Sequence, residues 1–195
     1  MNKKIFLSAI FVSSLFLFNC SNKQTEVTEE QKMQMRTTAT DFMGELKSIL
    51  LNRVQTRGVV NALDVCSDTA QVLTNEFGLQ RGVFIKRVSF KNRNKNNFPD
   101  DYEQNVLNSF QEILQNKKLD EKTELAELVK EGEFTYLRYM KPIIIQPECL
   151  NCHGSEGTML EEVTKLITER YPNDKARDYK PGDLRGAVSI KKLIE

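Results

Sequence analysis

Cys149, Cys152 and His153 form a Cys-x-x-Cys-His pattern, the CxxCH motif, which carries the clearest chemistry in this chain. Two cysteines with this spacing lie on the same side of a helical turn, where each thiol can bond to one vinyl group of a porphyrin. The histidine that follows can bind the iron from one face. The motif therefore predicts one covalently attached haem c per chain, held by both cysteines, with His153 as an axial ligand.

Half of a zinc site is the alternative interpretation of two cysteines and a histidine. A structural zinc ion takes four ligands, and the fourth is normally another Cys or His. The chain contains a single histidine, so the residues that a zinc site needs are scarce. The haem interpretation is favoured for this reason.

The second axial ligand of the iron decides which chemistry a haem can perform. It is not a histidine, because the chain has only one. The candidates are Cys66, a methionine, a lysine, the N-terminal amine or an open position. Methionine commonly pairs with histidine in electron-carrying cytochromes c, but a methionine on an apolar stripe usually packs in the core. The methionines considered are Met33, Met35, Met43, Met140 and Met159.

Cys66 lies in the centre of an apolar helical stripe that also contains Leu63 and Ala70. A buried cysteine often behaves as a small hydrophobic residue. If Cys20 is lipidated and the CxxCH motif holds haem, Cys66 has no disulfide partner in the chain, which is unusual for an exported protein. The residue pattern leaves both core packing and iron ligation open.

The spacing of apolar residues predicts four helices. Gly58 is expected to break the chain between the first two, and Gly78 is expected to end the second. The buried face of the last helix is expected to carry Leu160, Val163, Leu166 and Ile167. The helices are predicted at 29–57, at 59–76, from 99–101 onward and at 158–171.

Alternating apolar residues and turn signals predict four strands. Two of them form a hairpin within 123–145 that turns at Glu131-Gly132, and a helix through Ala126 competes with its first arm. The other two strands are predicted at 83–90 and 185–193. Helices and strands in this order predict an α+β fold, a small antiparallel sheet flanked by helices with a long N-terminal helix.

Residues 1–19 have the pattern of a bacterial lipoprotein signal peptide. Lys3 and Lys4 precede an apolar run that is too short to span a bilayer comfortably. Cys20 follows as the predicted lipidation site, although Asn19 stands where such signals usually carry Gly, Ala or Ser. An uncleaved anchor and ordinary secretion are the alternatives. Each version exports the domain, and the first predicts a periplasmic protein that is lipid-anchored to a bacterial membrane.

The rest of the chain is predicted to form a polar tether, 20–30, and a single domain, 31–195. Hydrophobic residues make up 39% of the sequence, which is enough for one core. The formal net charge of +1 gives no indication of nucleic acid binding, which favours a basic face with aromatic residues.

Four segments resemble, in the same order, a Tll-type family of bacterial haem-c domains that was long regarded as a domain of unknown function. Asn92 departs from the Pro that the family often carries. The resemblance implies a PAS-like fold, a single covalent haem, and axial ligation of the iron by His153 and Cys66. The segments are 61–66 (NALDVC), 87–100 (RVSFKNRNKNNFPD), 149–154 (CLNCHG) and 180–187 (KPGDLRGA).

Two arginines in the matching segments are candidates to pair with haem propionates. Arg93 lies in a short basic loop, and Arg185 follows the Pro181-Gly182 turn signal. The alternatives are a solvated charged face for the loop and a structural corner for the turn.

An iron with two protein ligands has no open position for a substrate, and the sole histidine is not available as a general base. We therefore expect no enzymatic activity. A thiolate ligand favours the ferric state, so a His/Cys haem is expected at low potential. The preferred function is a redox- or gas-responsive sensor module in which a weakly held Cys66 responds to iron reduction or is displaced by nitric oxide or carbon monoxide. The alternative is a low-potential electron-transfer cytochrome c that stays six-coordinate. Either function requires a separate redox or signalling protein partner.

Overall fold

The computed structural model describes residues 26–64 and 69–194 of the chain. The predicted signal peptide, Cys20 and Cys66 lie outside the described residues. The predictions of lipidation at Cys20 and of iron ligation by Cys66 therefore stay predictions.

Four antiparallel strands form one sheet in the order β1-β4-β3-β2. This sheet and its covering helices confirm the predicted α+β fold. The strands are β1 (Phe84–Val88), β2 (Leu125–Glu131), β3 (Phe134–Ile144) and β4 (Leu184–Leu193), and the helices are α1 (Glu29–Asp64), α2 (Ala70–Arg81), α3 (Asp101–Gln115), α4 (Leu150–His153) and α5 (Glu161–Arg170). None of the helices in the described part of the chain is both long and apolar enough to cross a membrane.

The hairpin of β2 and β3 is confirmed. Gly132 occupies the turn with a φ of 64°, a backbone conformation that glycine adopts without a steric penalty. Ala126 pairs with Tyr139 across the two strands, so the competing prediction of a helix through Ala126 is wrong. The alternation of apolar and polar residues was the better guide, because one face of each strand packs against the core.

The long N-terminal helix and its break at Gly58 are also confirmed. Gly58 has a φ of 80° and a ψ of 166°, which interrupts α1 between two helical pieces. The first piece buries Met35, Phe42 and Leu46 against the sheet and α2. The second piece is short and contacts α5 instead.

The prediction that Gly78 ends the second helix is wrong. Helix α2 continues to Arg81 and is capped by Gly82, which has a φ of 62° in the left-handed region. Gly78 lies inside the helix, where a Cβ atom would come within 2.7 Å of the Val83 carbonyl oxygen. The glycine therefore permits close packing of α2 against the start of β1.

The two faces of the sheet carry separate cores. Helices α1 and α2 cover one face, where Phe42 and Phe77 meet with ring centroids 5.4 Å apart. Helix α3 covers the other face with Val106, Leu107 and Phe110.

Helix α5 is shorter at its start than predicted, since it begins at Glu161 rather than at 158. Leu160 has an extended ψ of 139° and is 59% exposed, so its assignment to the buried face is wrong. Met159 is buried in its place, together with Val163 and Ile167.

Candidate functional site around the CxxCH motif

The CxxCH motif follows directly from the sheet. Beyond the end of β3, a single 3-10 turn (Pro147–Cys149) leads into the short helix α4. The amide of Gly154 donates to the Leu150 carbonyl at 3.0 Å and closes the turn. The motif therefore adopts the helical turn that its spacing predicts.

The two cysteines of the motif are half-buried and face different neighbours. Cys149 packs with Ile145 and Tyr179, while Cys152 packs with Leu63 and Val163. Within residues 26–64 and 69–194, no three His, Cys, Asp or Glu side chains are grouped so that they could hold a metal ion. The motif thus lies between the loop that precedes β4 and the packed ends of α1 and α5.

His153 is held by one well-defined hydrogen bond. Its Nδ1 lies 2.8 Å from the Ala176 carbonyl oxygen, and because a carbonyl only accepts, Nδ1 carries the proton. The other ring nitrogen, Nε2, is then unprotonated in the neutral ring and has a lone pair with which it can bind a metal. The ring of Tyr179 meets the His153 ring edge-on, with centroids 6.2 Å apart.

The His153 imidazole is kept neutral by its surroundings. Burial, followed by the positive charges of Arg185 and Arg93, lowers the pKa of His153 to about 3. The hydrogen bond to Ala176 and the charge of Asp174 act in the opposite direction but are weaker. A neutral imidazole with a free electron pair on Nε2 is the state that a metal ligand requires.

Arg93 is buried beneath the motif, with its side chain 8% exposed. Its guanidinium donates to both carboxylate oxygens of Asp174, at 3.1 and 3.2 Å, and to the Cys152 carbonyl at 2.6 Å. A further hydrogen bond reaches the Ala176 carbonyl at 3.2 Å. The sequence predicted a solvated residue or a propionate partner, and the structure places Arg93 against the backbone of the motif.

Arg185 lies on the ring of Tyr179, with its guanidinium carbon 5.5 Å from the ring centroid. It donates to the Lys91 carbonyl at 3.1 Å, and the Lys91 ammonium lies 4.2 Å from the same centroid. Burial, and the nearby charges of Arg93 and Arg87, lower the pKa of Arg185. No carboxylate in the described part of the chain forms an ion pair with Arg185. The guanidinium is therefore better placed than that of Arg93 to receive an anion.

The described methionines differ sharply in their distance from the motif. Met159 is buried in the same apolar cluster as Cys152. Met35 and Met43 belong to the core between α1, α2 and the sheet, and Met140 lies under α3. Met33 is 58% exposed. Met159 is consequently the described methionine that fits best as an alternative axial ligand.

Sequence reasoning missed Ala176 and Tyr179, which contact His153 from the loop between α5 and β4, and Asp174 of the same loop, which pairs with Arg93. Ala176 contributes a backbone carbonyl, for which no side-chain signal exists. Asp174 follows the Pro172-Asn173 turn signal, and this could have marked it as an ordered loop residue.

The structure combines an α+β fold with a CxxCH motif that lies between the sheet and α5. Comparison with known families shows to which family a chain with this fold and motif belongs. The model of the Tll0287-like family matches residues 19–192. The chain therefore belongs to the Tll0287-like family, which confirms the resemblance drawn from its sequence segments.

The crystal structure of the cyanobacterial heme-protein Tll0287 has a similar fold. It superposes with a TM-score of 0.60 over 87% of this chain and 98% of that chain, at 23% sequence identity. At this identity the likeness establishes the fold. No match was found among the curated proteins.

Proposed function

We propose that this chain is an exported c-type haem protein with one haem bonded to Cys149 and Cys152 and an iron bound by His153. The hydrogen bond from His153 Nδ1 to the Ala176 carbonyl carries the proposal, because it leaves Nε2 as an oriented, unprotonated ligand. The name of the structurally similar heme-protein Tll0287 supports it. A bound haem would supply a redox-active iron, while the protein orients the imidazole and restricts access of water.

Haem attachment is tested by maturing the full chain in a host that has the c-type assembly machinery. The mass of the parent should increase by one haem, and the adduct should survive denaturation. Replacing both motif cysteines, Cys149→Ser with Cys152→Ser, should abolish the adduct. Cys66→Ser is the matched control, because it removes a thiol outside the motif and should retain the covalent haem. An unmodified parent mass would contradict the proposal.

For the second axial ligand we propose Cys66. The described residue Leu63, three positions earlier in the chain, packs in the same cluster as Cys152, so the last described turn of α1 lies beside the motif. Met159 is the second candidate because it is buried in that same cluster.

The two candidate ligands give different spectra. Ferric parent protein should have the low-spin signature of a thiolate-bound haem, and Cys66→Ala should abolish it. The variant Met159→Leu removes the competing sulfur with little change in volume and should leave the signature intact. Thiolate features that persist in Cys66→Ala would rule out Cys66.

Arg185 is proposed to pair with a haem propionate. Its half-buried guanidinium has no carboxylate partner among the described residues, and a carboxylate would compensate its charge. Arg185→Gln removes a positive charge near the haem edge and should therefore change the reduction potential. Arg177→Gln, at an arginine that already pairs with Asp174, should change the potential less.

We propose a redox- or gas-responsive role for the haem, with Cys66 as the ligand that dissociates. A thiolate ligand that becomes protonated on reduction binds ferrous iron weakly, which would open one position for carbon monoxide or nitric oxide. Mixing the ferrous protein with carbon monoxide tests this directly. Rapid replacement of a ligand would support sensing, whereas complete resistance would favour the alternative, an electron-transfer cytochrome.

Export and lipid anchoring complete the proposal. Cys20 follows the predicted signal peptide, and haem of this type is attached after export. Cys20→Ser should remove any lipid mass and release the protein from the membrane fraction. Membrane association that survives in Cys20→Ser would favour an uncleaved anchor.

A further inference from the structure

We propose that the buried Arg93–Asp174 ion pair is a positioning device that holds the Ala176 carbonyl against His153. This inference rests on the proposed function in one respect, namely that His153 binds the iron. The pair would fix the tautomer and the orientation of the imidazole, and Arg93 is therefore a positioning residue rather than a haem-binding one.

Arg93 joins three separate segments of the chain. Its own basic loop lies between β1 and α3, its hydrogen bond to the Cys152 carbonyl reaches the CxxCH motif, and its bonds to Asp174 and Ala176 reach the loop before β4. One planar guanidinium thus sets the distance between the motif and the loop that carries the acceptor of His153. A lysine could not replace it, because a single ammonium group on a flexible side chain cannot donate to all of these acceptors from fixed directions.

The Ala176 carbonyl oxygen is shared by two donors. His153 Nδ1 approaches it at 2.8 Å and an Arg93 Nη2–H at 3.2 Å. A carbonyl oxygen has two lone pairs and can accept both bonds. Any displacement of Arg93 would therefore be felt at the atom that orients the imidazole.

Asp174 fixes the same loop from its other side. Its Oδ1 accepts from the Ala176 amide at 3.0 Å, and its Oδ2 accepts from Arg177 Nε at 3.0 Å. The carboxylate is 1% exposed. Burial alone would raise the pKa of Asp174, but hydrogen bonds and charge from Arg93 outweigh it and lower the pKa. The carboxylate is ionised when it holds the loop.

Arg177 offers a matched control for Arg93. Both arginines donate to Asp174, but Arg177 extends to Thr168 Oγ1 at 2.9 Å and contacts neither Cys152 nor the Ala176 carbonyl. If Asp174 needs only a compensating charge, the two arginines should be equivalent. If the geometry of Arg93 positions the imidazole, only Arg93 should affect His153.

The experiment compares Arg93→Gln, Arg177→Gln and the parent as haem-loaded, ferrous full chains. Nuclear magnetic resonance follows the exchange of the His153 Nδ1 proton with solvent. We expect exchange about tenfold faster in Arg93→Gln, the factor that corresponds to the loss of one hydrogen bond of about 1.4 kcal/mol, and little change in Arg177→Gln. Equal exchange in Arg93→Gln and the parent would overturn the proposal.

A second measurement separates this inference from the proposed function. In the full chain before haem attachment, nitrogen chemical shifts report which ring nitrogen of His153 is protonated. The Nδ1-protonated form should dominate in the parent and in Arg177→Gln, and Arg93→Gln should be a mixture of both forms. A parent that never acquires haem contradicts only the proposed function. Unchanged tautomers in Arg93→Gln contradict the positioning role. Arg93→Lys serves if Arg93→Gln does not fold, with the same mixture expected.

Discussion

In the sheet half of the molecule, which comprises the four strands, the first piece of α1, α2 and α3, buried apolar clusters fill both faces of the sheet. Among the described residues these clusters contain ten and six buried side chains, whereas the two that touch the CxxCH motif contain four and three. The motif half, which comprises the second piece of α1, α4, α5 and the loop before β4, relies instead on hydrogen bonds to backbone carbonyls and on Arg93. The larger apolar clusters lie in the sheet half, and the residues of the proposed haem site lie in the motif half.

The difference also explains what a cofactor could add. The sheet half excludes water with its own side chains, and burial of apolar area is the dominant stabilising contribution to folding. The motif half leaves both cysteines half-buried. A large apolar group attached there would bury surface that the chain does not cover itself.

Phe42→Ala should produce the largest effect in the sheet half. Phe42 is fully buried and its ring packs on Phe77, so the truncation leaves a cavity and should lower the free energy of unfolding by about 3–5 kcal/mol. Urea titration followed by circular dichroism measures this. Leu79→Ala, at an exposed position on α2, is the control and should change stability by less than about 0.5 kcal/mol.

Gly78→Ala should cause the next largest loss of stability. The added methyl group meets the Val83 carbonyl oxygen, a backbone atom, and the separation of α2 from β1 that results should cost about 1–3 kcal/mol. Gly44→Ala places a methyl in open space on α1 and should instead stabilise the protein by about 0.5–1 kcal/mol. A stable Gly78→Ala protein would show that the close contact is not required.

Glu124→Gln tests the polar contacts of the sheet half. Burial would raise the pKa of Glu124, but hydrogen bonds from Arg36 and Tyr139 outweigh burial and lower the pKa below its ordinary value of 4.5. The stabilising contribution of the carboxylate is therefore full above pH 4.5 and is lost as the pH falls through the lowered value. At pH 7 the free energy of unfolding of the variant should be about 1–2 kcal/mol lower than that of the parent. This difference should become smaller as the pH is lowered. A difference that stays constant down to about pH 3 would contradict the prediction.

The smallest expected effect compares the two halves directly. Ile190 in β4 and Ile167 in α5 are both fully buried, and shortening either to valine should cost about 0.5–1.5 kcal/mol. We expect Ile190→Val to accelerate amide exchange throughout the chain, but Ile167→Val to accelerate it mainly in α4 and α5 before haem attachment. Uniform acceleration in both variants would mean that the halves unfold together.

Local patterns predicted much of this fold because they record which face of each element is buried. The alternation through β2 and β3, the turn at Gly132 and the apolar stripe of α3 all depend on neighbours close in sequence. Gly78 was misread because its role is a contact with the Val83 carbonyl, which the glycine itself does not reveal. The prediction for Leu160 was wrong because the helical spacing of apolar residues extends to this position, one residue before the helix begins at Glu161.

The chemistry of the site was predictable only where side chains carry it. Residue type and spacing alone identify Cys149, Cys152 and His153 as candidate site residues. The acceptor of His153 is a backbone carbonyl, and Asp174 pairs with an arginine 81 positions away in the chain. Such contacts follow from how loops meet in three dimensions, so no local pattern predicts them.

The break at Gly58 divides α1 into two rods that belong to different halves. The first rod lies on the sheet, where Arg36 is tied to Glu124, and the second lies beside Cys152 through Leu63. Because the helical dihedral angles are interrupted at one glycine, each rod can follow the direction that its own packing requires. We therefore expect a small displacement near the motif to change the angle at Gly58 and to leave the first rod in place on the sheet.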